Sequence, residues 1–167
     1  NAGDRVGIML PQGLEAGTAH IALYKLGAIA VQLFKLFCAD AIEHRASNCS
    51  MRALITDASG LQKIDGIRAG LAHLHLCYVI DAPAHRNDVL DYHEQLQCHS
   101  DQFETLDTAA EDPALIIYTS GTTGHPKGAL HAHRVLLGHL PGVRSSHDDF
   151  PQPGDRMWTP ADWAWIG

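Results

Sequence analysis

The chain has 167 residues, of which 46% are hydrophobic and 19% are charged, and this composition is typical of one folded domain, not of a disordered or fibrous chain. Its 19 acidic residues outnumber its 12 basic ones, so the net charge is −7, and this charge argues against a nucleic-acid partner. No apolar run reaches the roughly 18 residues that a membrane-spanning helix needs, which excludes a membrane span in this sequence.

The first part of the chain alternates between short apolar runs and amphipathic segments. Residues 6–10 are apolar and predict a buried strand, and residues 13–26 predict a helix that is covered on most of its sides. A further strand is expected at residues 29–33. A helix is expected at residues 40–48, with Asp40 in its first turn, where a carboxylate suits the helix dipole.

The same alternation continues to residue 80. Residues 53–56 predict a strand, the spacing of apolar residues predicts an amphipathic helix over residues 61–71, and residues 74–80 predict another strand. Strands that alternate with helices form βαβ units. We therefore expect an α/β fold with a mostly parallel sheet.

The second part of the chain contains the informative segment. Residues 82–112 are polar and acidic, and they predict a loop-rich excursion with one short helix around residues 92–98. Residues 114–118 are apolar and predict a strand. This strand leads into a loop at residues 119–128, which reads Thr-Ser-Gly-Thr-Thr-Gly-His-Pro-Lys-Gly.

The loop at residues 119–128 has the chemistry of an anion-binding site. Glycines let backbone N–H groups approach an anion closely, hydroxyl groups add donors, and Lys127 adds a mobile positive charge. A flexible surface loop is the alternative, because Gly, Ser and Thr are common in turns. It is not a Walker A loop, because no Ser or Thr follows Lys127. No Gly-x-Gly-x-x-Gly pattern follows the first predicted strand, so a dinucleotide site is not supported.

Residues 118–128 resemble the phosphate-loop signature of the adenylate-forming superfamily, which includes acyl-CoA synthetases, luciferases and the adenylation domains of peptide synthetases. Two further stretches are similar to the same family: residues 3–11, and residues 33–41 with the helix that carries Arg45. The resemblance implies a reaction in two steps. A carboxylate attacks the α-phosphorus of Mg·ATP to give an acyl-adenylate and pyrophosphate, and the thiol of coenzyme A then displaces AMP.

The same resemblance implies roles for the residues of the loop. Lys127 is the expected catalytic residue, because it would pair with the pyrophosphate end of ATP, and Thr119 is expected to help ligate Mg²⁺ or the phosphates. The residues expected to bind the ATP phosphates are Thr119, Ser120, Gly121, Thr122, Thr123, Gly124 and Lys127.

Residues 158–167 look like the Ala-Asp-x-Gly-Trp stretch of acetyl- and medium-chain acyl-CoA synthetases. In that branch the tryptophan and the residues after it border the acyl and thioester side of the active site. The corresponding positions here are Trp165, Ile166 and Gly167; an aromatic core cluster is the alternative. Because acetyl-specific relatives carry a larger residue where this chain has Gly167, acids longer than acetate are expected to be accepted.

The resemblance and the chain ends together indicate a piece of a longer protein. We expect residues 1–167 to form a single partial domain, the N-terminal α/β portion of the large AMP-binding domain, without the C-terminal domain and inactive alone. The leading hypothesis is a short- or medium-chain acyl-CoA synthetase that uses ATP, Mg²⁺ and coenzyme A. The alternatives are an aryl- or amino-acid-adenylating ligase of the same superfamily and a non-catalytic module that binds a metal or a partner.

The spacing of the cysteines and histidines bears on whether the chain could bind a metal ion. The four cysteines are widely spaced, without a Cys-x-x-Cys pair, so we expect free thiols. Among the 12 histidines, His73 and His75, and likewise His131 and His133, would share a face if extended, but the spacing indicates no third ligand. The scattered thiols and the lack of a targeting signal favour a cytoplasmic location.

Overall fold

The computed structural model describes residues 1–83, 86–120, 124–159 and 161–164. In these ranges, strands and helices alternate along most of the chain. In chain order they are β1 (Arg5–Met9), α1 (Leu14–Lys25), β2 (Ile29–Gln32), α2 (Ala39–Asn48), β3 (Ala53–Asp57), α3 (Ala58–Asp65), a 3₁₀ turn (Arg68–Gly70), β4 (Leu76–Ile80), β5 (Leu90–Asp91), α4 (Tyr92–Cys98), β6 (Pro113–Thr119), β7 (Lys127–Ala132) and α5 (Arg134–Ser146).

The strands of the described part form one seven-stranded sheet in the order β5-β4-β3-β1-β2-β6-β7. Each neighbouring pair is parallel except β6 and β7, which are antiparallel. β1 lies at the centre, and its Val6 is the register partner of both Ala30 and Ala53. The predicted α/β fold with a mostly parallel sheet is confirmed. β7 and α5 lie in a part of the chain for which the sequence predicts no regular element.

Helices cover both faces of the sheet. One core cluster contains Ile42 of α2 and Leu61 of α3 together with Met9 of β1. A second cluster on the other face contains residues of α1 and α4 together with Ile8 of β1. Ile8 and Met9 belong to different clusters because successive side chains of a strand point to opposite faces. The carboxyl ends of the parallel strands open at one edge, where open α/β sheets bind ligands.

α1 is less covered than its sequence predicts. Its buried residues are Ala16, Ala19 and Leu23, whereas Leu14 is 81% and Ile21 is 59% exposed. The expectation of a helix covered on most sides is therefore wrong for the described part of the chain. Apolar residues occur nearly all round this helix, so periodicity alone did not show which side packs on the sheet.

The helix predicted over residues 61–71 is shorter in the structure. α3 ends at Asp65, with Gly66 as its C-cap, and a 3₁₀ turn follows. Ile67 and Leu71 are nevertheless buried in the same core as α3. The apolar spacing identified the buried residues correctly and missed the break at Gly66, a residue that weakens a helix interior by about 1 kcal/mol.

α4 lies at the predicted position, residues 92–98. The carboxylate of Asp91 caps it by accepting a hydrogen bond of 2.8 Å from the N–H of Glu94.

Across the described ranges, no helix has the length and apolar character needed to cross a membrane.

Candidate active site

The predicted anion-binding loop joins β6 to β7 at the edge where the parallel strands end. Thr119 is the last residue of β6 and Lys127 is the first residue of β7, and the two are register partners across the antiparallel pair. Both residues are exposed. The fold therefore places the residues with predicted metal-binding and catalytic roles side by side, open to a ligand.

The structure describes four of the predicted phosphate-binding residues: Thr119, Ser120, Gly124 and Lys127. Gly121, Thr122 and Thr123 lie outside the described residues. Gly124 has a φ of 85°, in the left-handed region that favours glycine. A Cβ added there would meet no atom of the described residues within 4 Å, and the left-handed backbone conformation is what favours glycine at this position.

Close packing at the base of the loop explains the glycine after Lys127. Gly128 is the register partner of Tyr118, and a Cβ added at Gly128 would lie 3.2 Å from Cζ of the Tyr118 ring. The Tyr118 hydroxyl donates to Oδ1 of Asn48 over 2.7 Å and lies 3.1 Å from the carbonyl oxygen of Arg45. Burial raises the pKa of Tyr118, so the hydroxyl remains a donor at neutral pH. Tyr118 therefore ties the end of β6 to α2.

A cavity of about 330 Å³ lies beside the loop. Its lining is mostly apolar and consists of Phe34, Phe37, Arg45, Ile117, Tyr118, Thr119, Ser120 and Ala164. Thr119 and Ser120 belong both to this lining and to the loop, so the cavity and the loop share a wall. A concave, largely apolar pocket with a few polar groups is typical of a small-molecule site.

Arg45 is a buried cation in the wall of this cavity, only 6% exposed. Its Nη1 donates to the carbonyl oxygen of Ala41 over 2.7 Å, and its Nε has no hydrogen-bond partner among the described residues. The guanidinium carbon lies 4.0 Å from the centre of the Phe37 ring and 5.5 Å from that of Tyr118. Burial lowers the pKa of Arg45, but a guanidinium keeps its charge in proteins. The cavity therefore carries a fixed positive charge between aromatic rings.

Two lysines hold the segment between β2 and α2, which contributes Phe37 to the cavity. The ammonium group of Lys35 pairs with Asp57 and donates to Oγ of Ser59 over 2.6 Å. Lys63 donates to the carbonyl oxygens of Lys35 and Phe37, over 2.6 Å and 2.8 Å. Burial alone would raise the pKa of Asp57, but hydrogen bonds, with that from Lys35 the largest, hold it below its usual value. The segment that carries Phe37 is thus held in place by Lys35, by Asp57 at the end of β3 and by Lys63 of α3.

Residues 161–164 return to the same edge of the sheet. The ring of Trp163 meets that of His20 at a centroid distance of 5.8 Å and lies over Gly17, where an added Cβ would be 3.5 Å away. Nε2 of His20 lies 2.8 Å from Oε1 of Gln32, whose side chain is buried at the end of β2. Burial lowers the pKa of His20, so the ring is neutral at pH 7 and donates to Gln32.

The predicted acyl-side residues Trp165, Ile166 and Gly167 lie outside the described residues. Ala164, which precedes them, lines the cavity. The structure thus brings the chain to the cavity at the residue before the predicted acyl-side positions.

The described residues contain no group of three or more His, Cys, Asp or Glu side chains that could hold a metal ion. The cysteines are free, as predicted. His73 and His75 precede β4 instead of lying in a strand, and His133 lies beyond the end of β7. The described part of the chain therefore offers no built transition-metal site. Magnesium is different, because it prefers oxygen ligands and keeps several waters and phosphate ligands. The exposed Thr119 hydroxyl fits that requirement as a single protein ligand.

Several residues of the cavity wall have no individual role that the sequence alone predicts, namely Phe34, Phe37, Arg45 and Ala164. Three of them lie on the segment between β2 and α2 or on α2 itself. The position of Phe34 and Phe37 just after the predicted strand β2 is a signal for a ligand site, because ligand sites of parallel sheets form just after the carboxyl ends of strands. To connect these residues with the loop, one must also know that β2 is the neighbour of β6 in the sheet.

Comparisons with known proteins are consistent with this geometry. A family described as "AMP-binding enzyme" matches residues 1–167. The acetyl-coenzyme A synthetase of Xanthobacter autotrophicus is 33% identical over 182 residues, covering 98% of this chain and 27% of the relative. That of Bartonella quintana is 34% identical over 190 residues, covering 98% and 28%. The chain thus spans little more than a quarter of the length of the curated relatives it matches.

Solved structures share the fold. A crystal structure of an anthranilate CoA ligase in complex with anthranoyl-AMP matches with a TM-score of 0.78 and 32% identity, over 86% of this chain and 28% of that one. The inhibitor-bound N-terminal domain of FACL13 from Mycobacterium tuberculosis matches with a TM-score of 0.76 and 27% identity, over 86% and 35%. Both likenesses support the α/β architecture described above.

Proposed function

Because the chain belongs to the family of AMP-binding enzymes, we propose that its full-length protein is an AMP-forming acid–thiol ligase that converts a small carboxylic acid to its coenzyme A thioester. In the first step a carboxylate oxygen attacks the α-phosphorus of ATP and pyrophosphate leaves. In the second step the thiol of coenzyme A attacks the acyl carbon and AMP leaves. The chain supplies the phosphate loop and one wall of the acid site.

The observation that carries this proposal is the wall that the cavity and the loop share. Thr119 ends β6, and Thr119 and Ser120 together line the cavity and begin the loop. An acid held in the cavity would therefore have its carboxylate next to a nucleotide whose phosphates lie on the loop. In-line attack needs this proximity and orientation, which convert a bimolecular step into an effectively unimolecular one.

Lys127 and Thr119 are proposed to act on the phosphates from opposite strands. Lys127 would place its charge near the β- and γ-phosphates and stabilise the departing pyrophosphate. Thr119 would offer its hydroxyl to Mg²⁺ or to a phosphate oxygen. Magnesium, when bound, neutralises phosphate charge as the leaving group develops. The same proposal assigns phosphate contacts to Ser120, Gly121, Thr122, Thr123 and Gly124.

We propose a short- or medium-chain aliphatic acid as the substrate. The cavity is mostly apolar and of modest volume, and the relatives named above are acetyl-coenzyme A synthetases. An aryl acid is the second candidate. It is favoured by the rings of Phe34, Phe37 and Tyr118 in the cavity lining, and by the likeness to an anthranilate CoA ligase.

Carboxylate-dependent exchange between ATP and pyrophosphate tests both the reaction and the substrate class. The full-length protein is assayed with acetate, propionate, butyrate, octanoate, benzoate, anthranilate and several amino acids, each with Mg²⁺. Exchange with the aliphatic acids is expected. Preferential exchange with benzoate or anthranilate would select the aryl candidate, and exchange with an amino acid would select an amino-acid-activating ligase. If the protein is folded and binds ATP but shows no pyrophosphate exchange with any of the acids, the proposed reaction is contradicted.

A further inference from the structure

His44 of α2 contacts the far end of the phosphate loop. Its Nε2 lies 3.0 Å from the carbonyl oxygen of Pro126. Its ring stacks on that of His125, with centroids 4.7 Å apart and planes inclined by 24°. We propose that His44 is a positioning residue that holds the end of the loop in the conformation that receives ATP. This inference rests on the function proposed above and adds a residue outside the loop to its machinery.

The hydrogen bond acts on the peptide that precedes Lys127. A carbonyl oxygen can only accept, so Nε2 of His44 carries the proton and donates it. The ring of Pro126 restricts its φ, which leaves the orientation of its carbonyl group as the main backbone freedom of that residue. By binding this carbonyl, His44 fixes the peptide that joins Pro126 to Lys127. Its effect on the Lys127 ammonium is therefore transmitted through the backbone.

The stacked ring restrains the preceding residue as well. His125 lies between Gly124, which has a left-handed backbone, and Pro126. Aromatic pairs with centroids 4.5–7 Å apart attract each other. The stack on His44 therefore gives the exposed His125 side chain a fixed partner on α2, and two consecutive loop residues are tethered to one helical side chain.

The helix that carries His44 also holds the other end of the loop. The ring of Tyr118 meets His44 edge-on at 6.5 Å, and its hydroxyl is bound to α2 through Asn48. Tyr118 precedes Thr119, where the loop begins, and Pro126 precedes Lys127, where β7 begins. One face of α2 thus fixes both ends of the loop. A rigid helix is a suitable anchor for a loop that must be preformed before its ligand arrives.

A preformed loop has a measurable consequence for ATP. When only a fraction of the molecules hold the competent conformation, the apparent dissociation constant rises by the inverse of that fraction. Loss of the His44 contacts should therefore weaken the binding of MgATP. Thioester formation from an acyl-adenylate supplied directly does not involve the β- and γ-phosphates. That half-reaction should keep its rate.

The test compares His44→Leu with His44→Gln in the full-length protein. His44→Leu removes the donor and the aromatic ring, and the KM for MgATP in the exchange assay is expected to rise about tenfold. The rate of thioester formation from supplied acyl-adenylate should stay within about twofold of wild type. His44→Gln keeps a side-chain donor and should recover a large part of the loss. His99→Leu is the matched control, because His99 directly follows α4, is exposed, and bonds only to the backbone carbonyl oxygen of Gln95 in that helix among the described residues.

Two kinetic results would overturn the proposal. One is an unchanged KM for MgATP in His44→Leu. The other is an equal loss in both half-reactions with no recovery in His44→Gln, because that pattern indicates a general structural defect and not a role in positioning the loop.

Amide hydrogen exchange of the peptide that spans residues 119–128 separates this inference from the proposed function. It needs neither a substrate acid nor turnover. Faster exchange of this peptide in His44→Leu than in wild type or His99→Leu is expected, and equal exchange would overturn the positioning role. Suppose that the wild-type protein shows no pyrophosphate exchange with any of the acids, while hydrogen exchange of the loop peptide still becomes faster in His44→Leu. The proposed function is then wrong, and the positioning role of His44 is supported.

Discussion

Thr119 and Lys127 are register partners across the antiparallel pair of β6 and β7, with the phosphate loop between them. Directly opposed residues of an antiparallel pair have Cβ atoms about 4.5–5.5 Å apart. The side chains that carry the Thr119 hydroxyl group and the Lys127 ammonium group therefore leave the backbone at neighbouring positions at the edge of the sheet. This arrangement suits a divalent cation and a polyphosphate that are bound together.

Replacing Lys127 should slow adenylation without unfolding the protein. Lys127 is exposed, so Lys127→Ala removes a charge and leaves the core intact. Loss of one preorganised electrostatic contact typically lowers the rate of the chemical step by about 100-fold or more. Single-turnover formation of acyl-adenylate by the full-length protein measures the effect. Lys25→Ala, at the last position of α1, is the control and should be unchanged. A wild-type rate in Lys127→Ala would remove Lys127 from the mechanism.

The Thr119 hydroxyl should determine how much magnesium the reaction needs. Thr119→Val keeps the shape of the side chain and removes its oxygen, so the Mg²⁺ concentration for half-maximal activity is expected to rise about threefold or more. Thr119→Ser keeps the oxygen and should behave like wild type. Magnesium titrations at saturating ATP give the comparison. Coincident curves for Val and Ser would show that the hydroxyl does not contact the metal or its phosphates.

Enlarging residue 167 should narrow the choice of acid. Gly167 lies outside the described residues, and its proposed place at the acyl side comes from the resemblance of residues 158–167 to acetyl- and medium-chain acyl-CoA synthetases. A leucine there would occupy space for the acyl chain. The ratio of kcat/KM for acetate to that for butyrate should therefore rise about tenfold or more in Gly167→Leu, since a few methylene groups carry that much discrimination. An unchanged ratio would place residue 167 away from the acyl chain.

His20 should make the protein less stable in mild acid. Burial lowers its pKa from the ordinary 6.5, so the unfolded chain binds a proton more readily than the folded one. The free energy of unfolding therefore falls as the pH drops through about 6.5 towards the lower folded-state pKa. His20→Gln lacks this titration, and the difference in unfolding free energy between it and wild type should shrink between about pH 7.5 and pH 5. Urea unfolding at both pH values measures it. A pH-independent difference would contradict the account.

Arg45 should support the cavity wall mainly through packing. Its guanidinium lies against Phe37, and its Nε has no hydrogen-bond partner among the described residues. A long apolar side chain can replace a poorly paired buried ion at little cost, so Arg45→Met is expected to change the unfolding free energy by less than about 1 kcal/mol. Arg45→Ala leaves a cavity and should lower it by about 2–3 kcal/mol. Similar losses in both variants would show that the charge itself stabilises the fold.

Several elements of the fold were predictable because their signals are local. Each of these elements is indicated by a pattern that spans only a few residues. Examples are the apolar run before Pro11, the spacing of apolar residues in α3 and the short apolar segment before Thr119. β7 was missed although it pairs along its length with β6, because its residues are exposed or half-buried and show no clear two-residue apolar period.

The candidate site also combines residues that the sequence indicates with residues that it does not. The loop at residues 119–128 could be found from its order of hydroxyl residues, glycines and lysine, because these residues are consecutive in the sequence. The cavity wall could not, because Phe34 and Arg45 lie on a segment that carries no phosphate-binding pattern of its own. They reach the loop only because β2 pairs with β6.

The sequence by itself therefore determined the class of fold and the strand before the loop at residues 119–128, and it predicts that this loop binds an anion, because periodicity and turn chemistry depend on near neighbours. The tertiary structure alone decided which side of α1 packs on the sheet, which side chains line the cavity and how the loop is held. The contact between His44 and Pro126 joins residues 82 positions apart. Contacts of this kind follow from strand order and layer packing, which the spacing of residues within one segment does not specify.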